Sequence, residues 1–300
     1  MEEKKSGFVT IIGKPNVGKS TLINKIIDRK VSIATHRKNT TRNQIRGIYN
    51  RENVQIVFID TPGFLSEYKT KLNLEMQKRI KESLIGVDII LFLIPFWEKF
   101  DDDYLRKITL LNLGTEKNFP KKYCIITKID LIKGDEGNEL KELVQAIFQL
   151  NYFDKIIPIS GLKNLNIDLL IEEIKSDLTD NIFHYSEKDF KGGSDQFYIQ
   201  EIIREKILLY LNEEIPHNIF VQLKNISIKN KLISIEADII VNRESLKRIV
   251  IGKEGIKIKQ IGENARKEIE KYFENKKVFL NLIVKVKKDW ENKDSIIKGI

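Results

Sequence analysis

The chain has 300 residues, 41% hydrophobic and 32% charged, with a formal net charge of +9; this is the composition of a soluble globular protein, and enough chain for one large or two ordinary domains with real cores. A single cysteine, Cys124, excludes an internal disulfide framework and suits a reducing cytosol, and with only three histidines beside it a zinc site is not expected. The longest apolar run, 87–96, contains Asp88 and falls short of the ~20 residues of a membrane-spanning helix, and Met1 to Ser6 lacks the apolar stretch of a signal peptide.

In chain order, strand-like runs at 7–13, 45–50, 53–60, 87–94, 121–126 and 155–159 alternate with helix-like ones near 19–28, 68–85, 101–112, 137–150 and 166–178. That alternation predicts a mostly parallel α/β sheet. The polar, glycine-bearing stretch "HYSEKDFKGGSDQ" (184–196) reads as a linker. Beyond it a helix, 198–212, leads through Pro216 into β-rich runs at 219–228 and 231–241. In the second run Ile233, Ile235, Ala237, Ile239 and Val241 alternate onto one face. Two helices flank "GKEG" (252–255), and Ile258, Ile261, Ala265, Ile269 and Tyr272 form the apolar stripe of the second. A last strand, 278–287, alternates Val278, Leu280, Leu282, Val284 and Val286. The expected division is a first domain at 1–180, a linker at 181–195 and a second domain at 196–300. Residues 196–300 carry 21 Lys and Arg against 15 Asp and Glu, so +6 of the +9 lies there. This favours an anionic partner such as nucleic acid or a membrane surface, although a solvated lysine-rich face gives the same count.

"GKPNVGKS" (Gly13, Lys14, Pro15, Asn16, Val17, Gly18, Lys19, Ser20), followed by Thr21, stands between a predicted strand and a predicted helix. That context identifies Gly-x-x-x-x-Gly-Lys-Ser as a phosphate loop. Its backbone N–H groups and the helix start hold β-phosphate oxygens, Lys19 bridges the β- and γ-phosphates, and the Ser20 hydroxyl ligates Mg²⁺. Asp60-Thr61-Pro62-Gly63 ends an apolar strand. There Asp60 can hold Mg²⁺ through water and the Gly63 N–H can contact a γ-phosphate. Alone, "DTPG" reads equally well as a turn; about forty residues after a phosphate loop it is far more specific. "TKID" (Thr127, Lys128, Ile129, Asp130) follows another strand. The Asp130 carboxylate can accept from guanine N1–H and the exocyclic amine, a donor pair that adenine lacks, so it selects GTP over ATP. The Lys128 stem would lie over the base. "ISG" (159–161) places Ser160 and Gly161 at a strand end, with a backbone N–H for guanine O6. Together the four segments are the signature of a GTPase using GTP/GDP and Mg²⁺.

The chain resembles the Era family of ribosome-associated GTPases, in which a Ras-like P-loop NTPase domain precedes an α+β type II KH domain. "GKPNVGKS", "NTTRN", "DTPG", "TKID", "ISG" and "IVIGKEGIKIKQIG" appear in family order over essentially the whole chain. The resemblance implies that Thr40 or Thr41 of "NTTRN" (39–43) belongs to the first switch and supplies a second Mg²⁺ ligand, with Thr41 preferred. Lys19, Thr41 and Gly63 are then the catalytic candidates, and Ser20, Thr41 and Asp60 the metal ligands. Two departures stand out. Thr127 replaces the usual Asn and cannot reach guanine N7 equally well, which predicts weaker affinity. Gly161 replaces the common Ala and is followed by Leu162, a mild change if the contact runs through the backbone.

Ras-type GTPases orient the attacking water with a glutamine where this chain has Phe64, whose ring has neither donor nor acceptor. The expectation is slow turnover until a partner or ion improves the geometry, with catalysis resting on Lys19, Mg²⁺ and loop N–H groups. In related GTPases an asparagine at the place of Asn16 coordinates K⁺. Here Asn16 either does so, making hydrolysis K⁺-stimulated, or only stiffens the loop.

In the last third, Ile251, Gly252, Lys253, Glu254, Gly255, Lys257 and Lys259 are the candidate RNA contacts, with Arg243, Lys247 and Arg248 as further phosphate candidates. A GxxG loop lets the backbone approach a nucleic-acid strand, and in the KH module it clamps about four nucleotides. A lone GxxG is weak evidence, because glycines also simply cap helices; the α-β-β-α-α-β order and the flanking Ile and Lys residues strengthen it. Glu254 repels phosphate and predicts a modest, salt-sensitive affinity. The resemblance implies a switch in small-subunit assembly, with the single-stranded 3′ end of 16S ribosomal RNA and the 30S subunit as partners. It also implies a cytoplasmic location with peripheral association with the inner membrane, although no amphipathic anchor is evident. The competing reading is an RNA-binding adaptor with a structural, weakly hydrolysing nucleotide pocket, which Thr127 and Phe64 would suit.

Overall fold

Every residue of β3 (Val54–Asp60) and β4 (Ile89–Pro95) is buried, as expected of central strands covered by helices on both faces. The computed structural model describes residues 3–35, 40–64, 70–99, 104, 120–134, 136–211, 219–229, 232–274 and 276–297. The helix expected near 101–112 lies outside the described residues, Tyr104 apart. The chain divides into a first unit (Met1–Ala34, Thr41–Ser66, Met76–Gly192) and a second (Thr35–Thr40, Glu67–Glu75, Gly193–Ile300).

In the first unit β1 (Lys5–Gly13) lies between β3 and β4, parallel to both. β5 (Lys121–Thr127) and β6 (Lys155–Pro158) continue the parallel run, while β2 (Ile45–Arg51) pairs antiparallel with β3. The full order is β6-β5-β4-β1-β3-β2-β7, with the two-residue β7 (Lys191–Gly192) at the edge. Parallel strands end on the same edge, so the segments following β1, β3, β5 and β6 meet there, which is where open α/β sheets bind ligands. Helices α1 (Lys19–Ile27), α3 (Glu136–Gln149) and α4 (Ile167–Asp177) belong to the same unit, whereas α2 (Lys71–Glu82) begins in residues grouped with the second unit and joins the first from Met76.

Residues 184–192, polar enough to read as linker, are tied to the first unit. β7 (Lys191–Gly192) pairs antiparallel with Arg46 and Gly47 of β2. Buried Gln55 accepts from the His184 and Tyr185 amides at 2.7 and 3.0 Å and donates to the Tyr185 carbonyl at 2.9 Å.

The second unit runs α5 (Asp195–Tyr210), β8 (Ile219–Ile228), β9 (Leu232–Val241), α6 (Glu244–Ile251), α7 (Ile256–Tyr272), β10 (Lys277–Val286) and the short α8 (Asp294–Ile297). The Ser194 hydroxyl caps α5 by accepting from the Phe197 amide at 3.2 Å. β9 lies between an antiparallel β8 and a parallel β10. The alternating face of β9 packs with Ile199, Ile202, Ile203 and Ile207 of α5 and with Ile261, Ala265 and Ile269 of α7. Trp290, fully buried, stacks on Phe220 at 5.7 Å. Arg204, also buried, pairs with Glu201 at 2.8 Å and donates to the carbonyl of Thr40, which groups with this unit.

Candidate functional site

Lys19 opens α1 and is buried; its amine donates to the carbonyls of Gly13 and Lys14 at 3.0 and 2.9 Å, folded over the loop that carries it. Burial pulls its ammonium down to about 8, against the opposing influence of the Asp60 charge. Asp60 ends β3 with no exposed surface. Ser20 and Ser32 hydroxyls each donate to its Oδ2 at 2.7 Å, and the Thr41 hydroxyl lies 3.3 Å from the same oxygen and 3.1 Å from Ser20 Oγ. Burial lifts the carboxyl above the usual carboxylate range, while Lys19 and the three hydroxyls oppose that.

The other carboxylate oxygen, Asp60 Oδ1, is buried without a hydrogen-bond partner, a costly arrangement that calls for a missing ligand. Two hydroxyls and a carboxylate, all hard oxygen donors, fit Mg²⁺, which is held by a few protein oxygens together with water and substrate phosphates. Of the two candidate threonines Thr41 reaches this cluster, whereas the Thr40 hydroxyl lies 2.8 Å from that of Thr35. Ser32 had no motif to announce it. It is placed by Asn24, whose amide oxygen accepts from the Val31 and Ser32 N–H groups at 2.8 and 2.9 Å.

The DTPG turn packs closely on the phosphate loop. A Cβ at Gly63 would stand 2.7 Å from the Pro15 nitrogen, so only glycine permits this approach. The Thr61 hydroxyl donates to the Ile11 carbonyl at 2.7 Å, and Pro62 is buried beside it. The Phe64 amide donates to the Gly13 carbonyl at 3.2 Å. Its ring is buried and stacked on Phe92 at 6.1 Å. The side chain in the place of the Ras-type glutamine is thus turned into the core.

At the base-reading end, Thr127 is buried and its hydroxyl donates to the Val17 carbonyl at 2.8 Å. The threonine that replaces the usual asparagine therefore braces the phosphate loop, a role that the sequence reading, concerned with guanine N7, did not give it. Ser160 donates to Asp130 Oδ1 at 2.5 Å and accepts from the Lys163 amide at 3.0 Å. The Ile129 amide donates to the Ile159 carbonyl at 3.3 Å, joining TKID to ISG. Gly161 lies beyond, its Cβ position 3.6 Å from Leu22. Lys128 takes a left-handed backbone (φ 64°) with its ammonium 4.9 Å from the Trp97 ring centre. Asn16 is exposed at φ 64°, a conformation that asparagine tolerates. Val17 is buried in the core and Thr21 exposed on α1.

In the second unit, Gly252 and Gly255 take φ of 75° and 78° around the exposed Lys253 and Glu254. A Cβ at Gly252 would lie 2.8 Å from the Lys257 side chain, so the Lys257 stem packs on the loop it follows. Ile251 packs on the core. Between α7 and β10 lies a cleft of about 370 Å³ lined by Ile258, Lys259, Gly262, Glu263, Arg266, Val278, Phe279, Leu280 and Leu282. Lys259 was expected at a nucleic-acid surface; Glu263, Arg266 and Phe279 were not. The four- and seven-residue steps from Lys259 to Glu263 and Arg266, which place them on one helix face, were the available signal.

Residues 8–128 match the family model described as 50S ribosome-binding GTPase, and residues 214–291 match the KH domain model. A solved structure of a variant of Aquifex aeolicus Era bound to GDP·AlF4⁻ is 36% identical, with 98% of each chain covered and a TM-score of 0.89. A structure of Era in complex with MgGDPNP and nucleotides 1506–1542 of 16S ribosomal RNA is also 36% identical, again with 98% of each chain covered and a TM-score of 0.90. With the phosphate loop, the Asp60 cluster and the GxxG cleft in one chain, these matches lead to one conclusion: the chain belongs to the Era family.

Proposed function

We propose that this chain is a GTPase that grips the single-stranded 3′ end of 16S ribosomal RNA in its KH cleft and acts as a nucleotide-controlled switch in 30S subunit assembly. The observation that carries the nucleotide half is Asp60, a buried carboxylate with one oxygen held by three hydroxyls and the other left without a partner. The RNA half rests on the apolar-walled cleft with Lys259 and Arg266 at its rim, beside a GxxG loop.

Ser20, Thr41 and Asp60 would hold Mg²⁺, which when bound offsets charge on the phosphate oxygens. Lys19 exchanges its two loop carbonyls for phosphate oxygens and brings positive charge to the β- and γ-phosphates. Loop N–H groups and the start of α1 hold the remaining oxygens. Water attacks the γ-phosphorus and the bond to the bridging oxygen breaks, leaving GDP and phosphate; one proton of the water stays on the new phosphate and the other passes to a phosphate oxygen and on to solvent. Phe64 offers no group to orient that water, so unaided turnover is slow. Asn16 supports K⁺ as a further cation at the phosphate loop. Hydrolysis is then faster in K⁺ than in Na⁺ buffer, and equal rates would remove that ion from the account.

Phosphate release from GTP, measured with and without Mg²⁺ and with and without the 16S 3′-terminal strand, tests the proposal. Mg²⁺-dependent turnover is expected; RNA binding without hydrolysis in any condition would instead favour the adaptor reading. A cytoplasmic location with peripheral inner-membrane association belongs to the same proposal, and sedimentation with anionic vesicles tests its membrane part. Among the described residues no helix is long and apolar enough to cross a membrane.

A further inference from the structure

Three residues that follow β4, Phe96, Trp97 and Glu98, touch both loops that would surround a nucleotide. The Phe96 amide donates to the Thr127 carbonyl at 3.2 Å, anchoring the segment to the start of TKID. Its buried ring meets Trp97 edge-on at 5.0 Å. Trp97 is 46% exposed, and its ring lies beside the Lys128 ammonium, 4.9 Å from the ring centre. Glu98 reaches the other way and pairs with Lys14 of the phosphate loop at 2.6 Å. The Lys14 ammonium also stands 3.9 Å from the Tyr104 ring centre.

A half-exposed tryptophan leaves an aromatic face open to a neighbouring cation, and here that cation is Lys128. A lysine stem has many rotamers, and fixing one of them on binding costs affinity. A cation held over an indole face is already ordered. We infer that Trp97 is a positioning residue for the guanine base: it fixes the Lys128 side chain in place over the base site before nucleotide arrives, while Glu98 and Lys14 tie the same segment to the phosphate loop. This rests on the guanine-nucleotide reading above and adds a residue that none of the four motifs contains.

The test is a double-mutant cycle on the full chain with GDP and GDPNP. Trp97→Ala is expected to weaken both nucleotides by a similar factor, roughly threefold to fivefold from the loss of an exposed cation–π contact, because the base end of the ligand is the same in each. Trp97→Phe keeps an aromatic face and is expected to recover most of the loss. In a Lys128→Met background Trp97→Ala should cost nothing more, since its effect passes through Lys128; melting temperatures are recorded alongside. Unchanged GDP affinity in Trp97→Ala, a full loss persisting in the Lys128→Met background, or no recovery with Phe would each overturn the inference. Wild-type protein that fails to bind GDP would instead overturn the guanine reading beneath it.

Discussion

Lys19 sits with its amine turned onto its own loop, and that posture has a measurable consequence. Burial brings its ammonium down to about 8, from 10.5 in the open chain. Between those two values the native, nucleotide-free state binds fewer protons than the unfolded state, so the contribution of Lys19 to stability rises with pH across that window. Phosphates reverse the preference by favouring the charged amine, so nucleotide binding takes up a proton above about pH 8. The Lys19 contribution to GDP affinity should therefore be constant below about pH 8 and fall above it, by at most about tenfold per pH unit. Lys19→Met should lack that component in the same titration, and identical pH profiles for the two proteins would contradict this. Thr127 makes a second residue-scale claim. Thr127→Val keeps the shape but leaves the Val17 carbonyl without its donor, a loss of about 1–3 kcal/mol. A urea midpoint equal to wild type would show that the brace contributes nothing.

Elements were legible in the sequence where their pattern is local. β4 is an unbroken apolar run, β3 carries one at 56–59, α7 has a helical stripe, and β9 alternates, so period and length identify them within a few residues. The phosphate loop was legible because its spacing is itself the chemistry. What escaped reading depends on partners far along the chain. Residues 184–192 look like linker until Gln55, 129 positions before His184, supplies their hydrogen bonds. The partner of Thr127 is 110 residues away, and the inward turn of Phe64 depends on Phe92. The cleft wall is the same kind of feature, since Phe279 joins Lys259 and Arg266 only once β10 lies beside α7. Here the prediction belongs to the paired elements. Lys259→Ala and Arg266→Ala should each weaken RNA binding and reduce its salt dependence by the equivalent of about one phosphate contact. Their basal GTP hydrolysis should match wild type. Salt slopes identical to wild type would place the RNA elsewhere.

At the scale of the whole molecule, one chain carries two binding chemistries: an oxygen-rich cation and phosphate site in the first unit, and a basic, apolar-walled cleft in the second. A switch requires that each ligand favours one state of the chain over another, and by linkage the effect on affinity is reciprocal. If GDPNP tightens RNA binding by some factor relative to GDP, RNA must shift the relative affinity of GDPNP over GDP by that same factor. An adaptor with an inert pocket shows neither effect. The most direct measurement is an anisotropy titration of a labelled 16S 3′-terminal single strand with the full chain in Mg²⁺, once with GDPNP and once with GDP. Clearly tighter binding is expected with GDPNP; equal affinity in the two nucleotide states would contradict a nucleotide-controlled switch.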